Sequence, residues 1–166
     1  MRIFVAAALF AAAVPAAAQT VAGPVAEVTG GRVAGTAAAG VATFRGIPFA
    51  APPVGPLRWR APQPVAPWAG IRDATSFGHD CMQLPFPSDA APLGTAPSED
   101  CLTVNVWAPA DAKGKKLPVL FWIYGGGFVN GGSSPDVYDG APFARAGVVF
   151  VSFHYRPRPL RLFFPP

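Results

Sequence analysis

Three consecutive glycines, Gly125-Gly126-Gly127, end the apolar run Leu117-Pro118-Val119-Leu120-Phe121-Trp122-Ile123-Tyr124. Glycine takes φ > 0 freely and lets another atom approach the backbone closely. After a strand, such a loop can aim successive N–H groups at one point, as a developing oxyanion requires. The same residues also make a plain tight turn, and the glycines alone do not separate the two readings. Other residues with chemical potential are few. Ser133 sits in Gly131-Gly132-Ser133-Ser134-Pro135, where proline replaces the last glycine of a G-x-S-x-G nucleophile elbow and the segment reads as loop. His154 closes a second apolar run, and Ser133 with His154 is not read as a catalytic dyad. His79 has no partner visible in the sequence and reads as a loop histidine. Cys81 and Cys101 form a disulfide or remain two free thiols, and an even cysteine count in an oxidising compartment favours the bridge. Without a nearby histidine pair they make no metal site. No cofactor is called for.

These groups need elements to hold them. Leu117 to Ile123 has the length and composition of a strand buried on both faces. Val148 to Tyr155 is a second such run. A short helix over Pro142 to Ala146, with Asp139 near its start and Gly147 after its end, predicts a crossover in a mixed or parallel sheet. Upstream, Leu102, Val104 and Val106 alternate with Thr103, Asn105 and Trp107, which predicts a strand with one face buried. Val25 to Thr29 and Arg32 to Thr36, joined by Gly30-Gly31, read as a hairpin. With Val41 to Arg45 as third strand they predict a small antiparallel meander. The proline-dense stretch from Gly46 to Trp59 is expected to run extended, pinned by Ile47, Phe49, Leu57 and Trp59. Met82 to Asp100 reads as an ordered excursion between the two cysteines.

Composition narrows the class. Charged residues make up 13% of the 166 residues, with 21 prolines, 18 glycines and a hydrophobic fraction of 51%. An ordinary soluble domain carries about 25% charged residues. The net charge is +4, yet residues 19–155 hold nine basic and nine acidic side chains. No basic face with interleaved aromatics is present, so nucleic acid is not an expected partner. Met1-Arg2, the apolar run from Ile3 to Val14 and Ala16-Ala17-Ala18 read as a signal peptide over residues 1–18. The run falls short of the ~20 residues that span a bilayer. A secreted or periplasmic product with no integral membrane segment after cleavage is expected.

Together the segments resemble the N-terminal part of the type-B carboxylesterases, the family that includes the cholinesterases. The landmarks occur in family order. They are Phe44-Arg45-Gly46-Ile47-Pro48-Phe49-Ala50 with Pro52-Pro53-Val54-Gly55-Pro56-Leu57-Arg58, Ser98-Glu99-Asp100-Cys101-Leu102-Thr103-Val104-Asn105-Val106, Trp122-Ile123-Tyr124-Gly125-Gly126-Gly127-Phe128, and Tyr155-Arg156. The resemblance implies part of an α/β-hydrolase fold, β-rich, with the meander leading into a mixed central sheet. It implies a Cys81–Cys101 disulfide and makes the Gly126 and Gly127 amides oxyanion-hole donors. The family domain is expected over 19–156, and 157–166 diverges, with arginines where the family has glycines. His154 stands where the family commonly has asparagine.

The family's serine nucleophile, acid and histidine have no counterpart here. The expected product is therefore an exported piece of a serine carboxylic-ester hydrolase, inactive alone. A complete relative would take a small-molecule ester. Two alternatives remain open: a non-catalytic secreted binding or adhesion module of cholinesterase-like fold, and a truncated or frame-shifted product without function. Phe86 is the one aromatic between the two cysteines, which gives no support there for a choline-type cation site.

Overall fold

The predicted hairpin forms, but the chain turns through Thr29-Gly30, one residue before the expected Gly30-Gly31, and Gly31 already belongs to the returning strand. In the computed structural model, which describes residues 23–157 apart from 85, 87 and 90, strands β1 (Val25–Val28) and β2 (Gly31–Ala34) pair antiparallel. The expected signal peptide and residues 158–166 of the tail lie outside the described residues. The meander, however, ends after two strands. A Cβ on Gly35 would stand 2.2 Å from the Thr43 carbonyl oxygen, so only a bare backbone can cross the strand that carries Thr43. The chain leaves the first sheet at that residue. β2 instead pairs parallel with β5 (Ile71–Asp73). The strands β3 (Thr36–Ala38) and β4 (Val41–Pro48) belong to a second sheet.

That second sheet is mixed and has the order β3-β4-β6-β8-β7, with β6 at Thr103–Pro109, β7 at Val119–Trp122 and β8 at Val149–Phe153. All its pairings are antiparallel except β7 with β8. Between those two strands lies the helix α1 (Ala141–Arg145), as the apolar runs predict. Its first amide, Ala141, donates to the Asp139 carboxylate at 3.1 Å, and Gly147 follows at φ 85°. The helix seats Ala144 against Val41, Trp107 and Phe150, and Phe143 stacks on Phe150 at 5.1 Å.

Two strands differ from their sequence patterns. In β6 the deepest side chains are Asn105 and Trp107, 0% and 3% exposed, rather than Val104 and Val106. β6 lies between β4 and β8 with both faces covered, so alternation separates two linings instead of inside from outside. Val104 and Val106 pack against Val33, Ile47 and Ala74 beneath the small sheet. The second difference is β7. Val119, Phe121 and Ile123 are 64%, 55% and 61% exposed, because β7 is the sheet edge and only β8 adjoins it among the described residues. An apolar strand in that position is a template for association. Val119→Lys is expected to lower self-association in light scattering while leaving the melting temperature unchanged. Equal scattering from both proteins would clear this edge as the route.

Of the residues expected to pin the proline-rich segment, Ile47 is buried, whereas Phe49 and Trp59 are 41% and 45% exposed. A bidentate Arg58–Glu99 pair at 2.6 Å ties the segment down instead. Cys81 and Cys101 are joined, with Cα atoms 5.0 Å apart and a separation of 20 positions in sequence. The bridge packs with Ala50 and Leu102. Its loss removes a loop constraint worth ~3 kcal/mol in the chain-entropy picture. Reduction is expected to lower the melting temperature by about 10 °C, a shift absent from Cys81→Ala/Cys101→Ala already lacking the bridge.

Candidate functional site

The glycine loop begins where β7 and β8 end side by side. Tyr124 and Tyr155 clasp each other there. Each hydroxyl donates to the other's carbonyl oxygen at 2.8 Å, and the rings stack 4.2 Å apart. The chain then enters the left-handed region for three residues, with Gly126 at φ 112°, Gly127 at 60° and Phe128 at 62°. The Gly126 carbonyl closes the turn by accepting from Val129 N–H at 2.9 Å and Asn130 N–H at 3.3 Å. Among the described residues the Gly126 and Gly127 amides donate to no group. Two successive unspent N–H groups in a left-handed turn make a concavity suited to an anionic oxygen.

The far half of the loop is fastened to the disulfide excursion. Gln83 engages Gly131 as a second peptide would: its Oε1 accepts from Gly131 N–H at 2.7 Å and its Nε2 donates to Gly131 O at 2.8 Å. Asn130 donates to Asp89 at 2.9 Å. Behind the loop lies a buried polar layer. Asn105 accepts from Gly46 N–H at 2.9 Å and donates to the Ser133 and Ser152 hydroxyls at 3.0 and 3.2 Å. Gly46, at φ 69°, marks the irregularity where β4 breaks register with β6. His154 Nε2 lies 2.7 Å from Asp80 Oδ1, and Asp80 Oδ2 accepts from the Ser134 hydroxyl and from Thr95. Asp80, Asn105, Ser133, Ser152 and His154 are all 0% exposed.

Ser133 and His154 thus come together, with Oγ 3.1 Å from Nε2. They do not form a nucleophile and base. Ser133 Oγ lies near both ring nitrogens, 3.1 Å from Nε2 and 3.3 Å from Nδ1, and Nε2 has its shorter contact with Asp80 at 2.7 Å. A nucleophile must also meet substrate, and Ser133 is completely enclosed. Burial on its own would raise the Asp80 pKa. The hydrogen bonds from His154, Ser134 and Thr95 and the attraction of His154 outweigh it and hold the carboxyl below its ordinary value. His79 is exposed in its loop, with Nδ1 2.9 Å from the Ala96 carbonyl oxygen. Asp80, Asn105 and Gln83 carry no motif in sequence. The one local hint is that Asp80 precedes a cysteine.

A sequence model for the carboxylesterase family matches residues 18–161. The chain belongs to the carboxylesterase family. It is 52% identical over 119 residues to the fumonisin B1 esterase of Sphingopyxis macrogoltabida, covering 70% of this chain and 21% of that protein. It is 46% identical over 131 residues to the para-nitrobenzyl esterase of Bacillus subtilis, covering 76% of this chain and 26% of that protein. A solved PNB esterase structure superposes with a TM-score of 0.72 at 42% identity, over 82% of this chain and 27% of that one. This carboxylesterase-family chain therefore spans about a quarter of the length of such relatives, and its mixed sheet is part of their α/β-hydrolase fold. No helix among the described residues is long and apolar enough to cross a membrane.

Proposed function

We propose that this carboxylesterase-family chain supplies the oxyanion-binding part of an exported serine carboxylic-ester hydrolase, with Gly126 and Gly127 as the donors. The observation that carries the proposal is the pair of unspent amides in a left-handed turn that the Tyr124–Tyr155 clasp fixes to the sheet. In ester cleavage a serine oxygen attacks the carbonyl carbon, and negative charge moves onto the carbonyl oxygen. Donors already in place stabilise that charge without reorganising at the moment of reaction. The serine, its histidine base and the carboxylate orienting that base lie outside this sequence, in which no G-x-S-x-G occurs. The substrate is a small-molecule ester. The disulfide and the small-residue motif Ala16-Ala17-Ala18 support an oxidising, extracytoplasmic destination.

The test is a chimera in which residues 23–157 replace the matching part of the para-nitrobenzyl esterase. A para-nitrobenzyl ester should be hydrolysed by the chimera, whereas the 166-residue chain alone should match a heat-denatured control. A folded chimera without turnover would overturn the oxyanion role, and turnover by the chain alone would overturn the need for an external nucleophile.

A further inference from the structure

We propose that Asp80 and His154 are positioning residues: a buried lock that fixes the second half of the glycine loop and thereby the aim of its amides. The lock rests on the oxyanion reading for its catalytic meaning, though not for its geometry. Three segments far apart in sequence meet at one carboxylate. Asp80 belongs to the base of the disulfide excursion, next to Cys81. His154 follows β8. Ser134 ends the glycine loop. Oδ1 faces His154 Nε2 at 2.7 Å, and Oδ2 receives the Ser134 hydroxyl together with the Thr95 N–H and O–H at 3.1 and 2.9 Å. His154 Nδ1 faces the Thr103 and Ser133 hydroxyls at 3.2 and 3.3 Å.

The loop's backbone is cut to admit this carboxylate. A Cβ on Gly132 would stand 2.0 Å from Asp80 Oδ1, so a hydrogen at that position is what lets the acid reach His154. Between Gly132 and the oxyanion turn lies the Gly131–Gln83 clamp, and Gln83 sits two residues beyond the disulfide. A displaced Asp80 would move Gly132, then the clamp, then the Asn130 carbonyl that touches the turn at Gly126. A Cβ on Gly126 would lie 1.9 Å from that carbonyl oxygen, which shows how little clearance the turn has. A polar cluster this enclosed is costly when incomplete and rigid when complete.

The experiment uses amide exchange in the full 166-residue chain, read by NMR at Val129, Asn130 and Gly131, whose N–H groups are bonded within the loop or to Gln83. His154→Ala and Gly132→Ala should each speed exchange at these three amides by at least about tenfold, while β6 and β8 amides keep their protection. His154→Gln, which retains an N–H donor, should recover part of the protection. Unchanged loop amides in both alanine variants overturn the lock. So does equal acceleration throughout β6 and β8, or a wild-type loop without protection. Phenylphosphonate added to the wild-type chain separates the two readings. Movement of the Gly126 and Gly127 amide resonances reports oxyanion capacity, and altered exchange reports the lock. Phosphonate shifts without altered exchange remove the lock alone, and altered exchange without phosphonate shifts removes the oxyanion role alone.

Discussion

Asp80→Ala is expected to destabilise the chain by about 3–5 kcal/mol, since each buried donor left without its acceptor costs about 1–3 kcal/mol. The cost comes from what is left behind. His154 and Ser134, both buried, lose their acceptor, and so does the Thr95 N–H, while the Thr95 hydroxyl keeps the Gly78 carbonyl at 3.1 Å. Asp80→Asn keeps the shape and one acceptor oxygen and should cost less. Urea denaturation at neutral pH measures both. The effect depends on pH with a definite sign. The folded pKa of Asp80 is depressed, so its contribution is fully present above the unfolded carboxylate value of about 3.9 and is lost as pH falls through the folded value. The wild-type urea midpoint should therefore fall between neutral pH and pH 3 by more than that of Asp80→Ala. Parallel declines in the two proteins would show that Asp80 is not ionised in the folded state. Glu99→Gln, at an exposed pair, is the control and should change the midpoint little.

What was legible in the sequence was whatever local chemistry decides. The glycine pair Gly30-Gly31 marks a turn to within one residue, at Thr29-Gly30, and Asp139, Pro142 and Gly147 bracket a helix through caps that act within a few residues. Burial of whole strands was not legible in this way. The run from Val119 to Ile123 is apolar enough for a central strand, but its burial depends on neighbours, and only β8 adjoins it among the described residues. Which face of β6 lies deepest is not legible in the sequence for a related reason. Asn105 looks like a solvent residue until Gly46, Ser133 and Ser152 satisfy its amide from three other segments. Gly126 and Gly127 could be located through the resemblance, since their order among other landmarks is specific. Asp80, Gln83 and His154 could not, because their meaning arises from contacts across 74 and 48 residues of sequence.

Gly126→Ala in the para-nitrobenzyl esterase chimera is expected to lower kcat by about 10²–10³, the loss that follows when one oxyanion donor is removed. The new methyl group meets the Asn130 carbonyl oxygen at 1.9 Å, and φ is 112°. Alanine is poorly suited to that conformation, and the obstacle is backbone that cannot rotate aside. Either Gly126 leaves its conformation or Asn130 moves and unseats the Gly131–Gln83 clamp. In both cases the amide turns away from the oxyanion. Gly127→Ala provides the contrast. Its φ of 60° lies where alanine is admitted at a cost of ~1–2 kcal/mol, and its Cβ would meet nothing within 4 Å. That substitution should lower stability modestly and leave kcat within about tenfold, because the amide stays aimed. Since a donor contributes to the transition state rather than to ester binding, KM should stay nearly constant in both. Equal losses in the two variants would mean that the methyl groups act through bulk at the site. A fully active Gly126→Ala would mean that the charge is met by donors elsewhere, and the left-handed turn would then be only a turn.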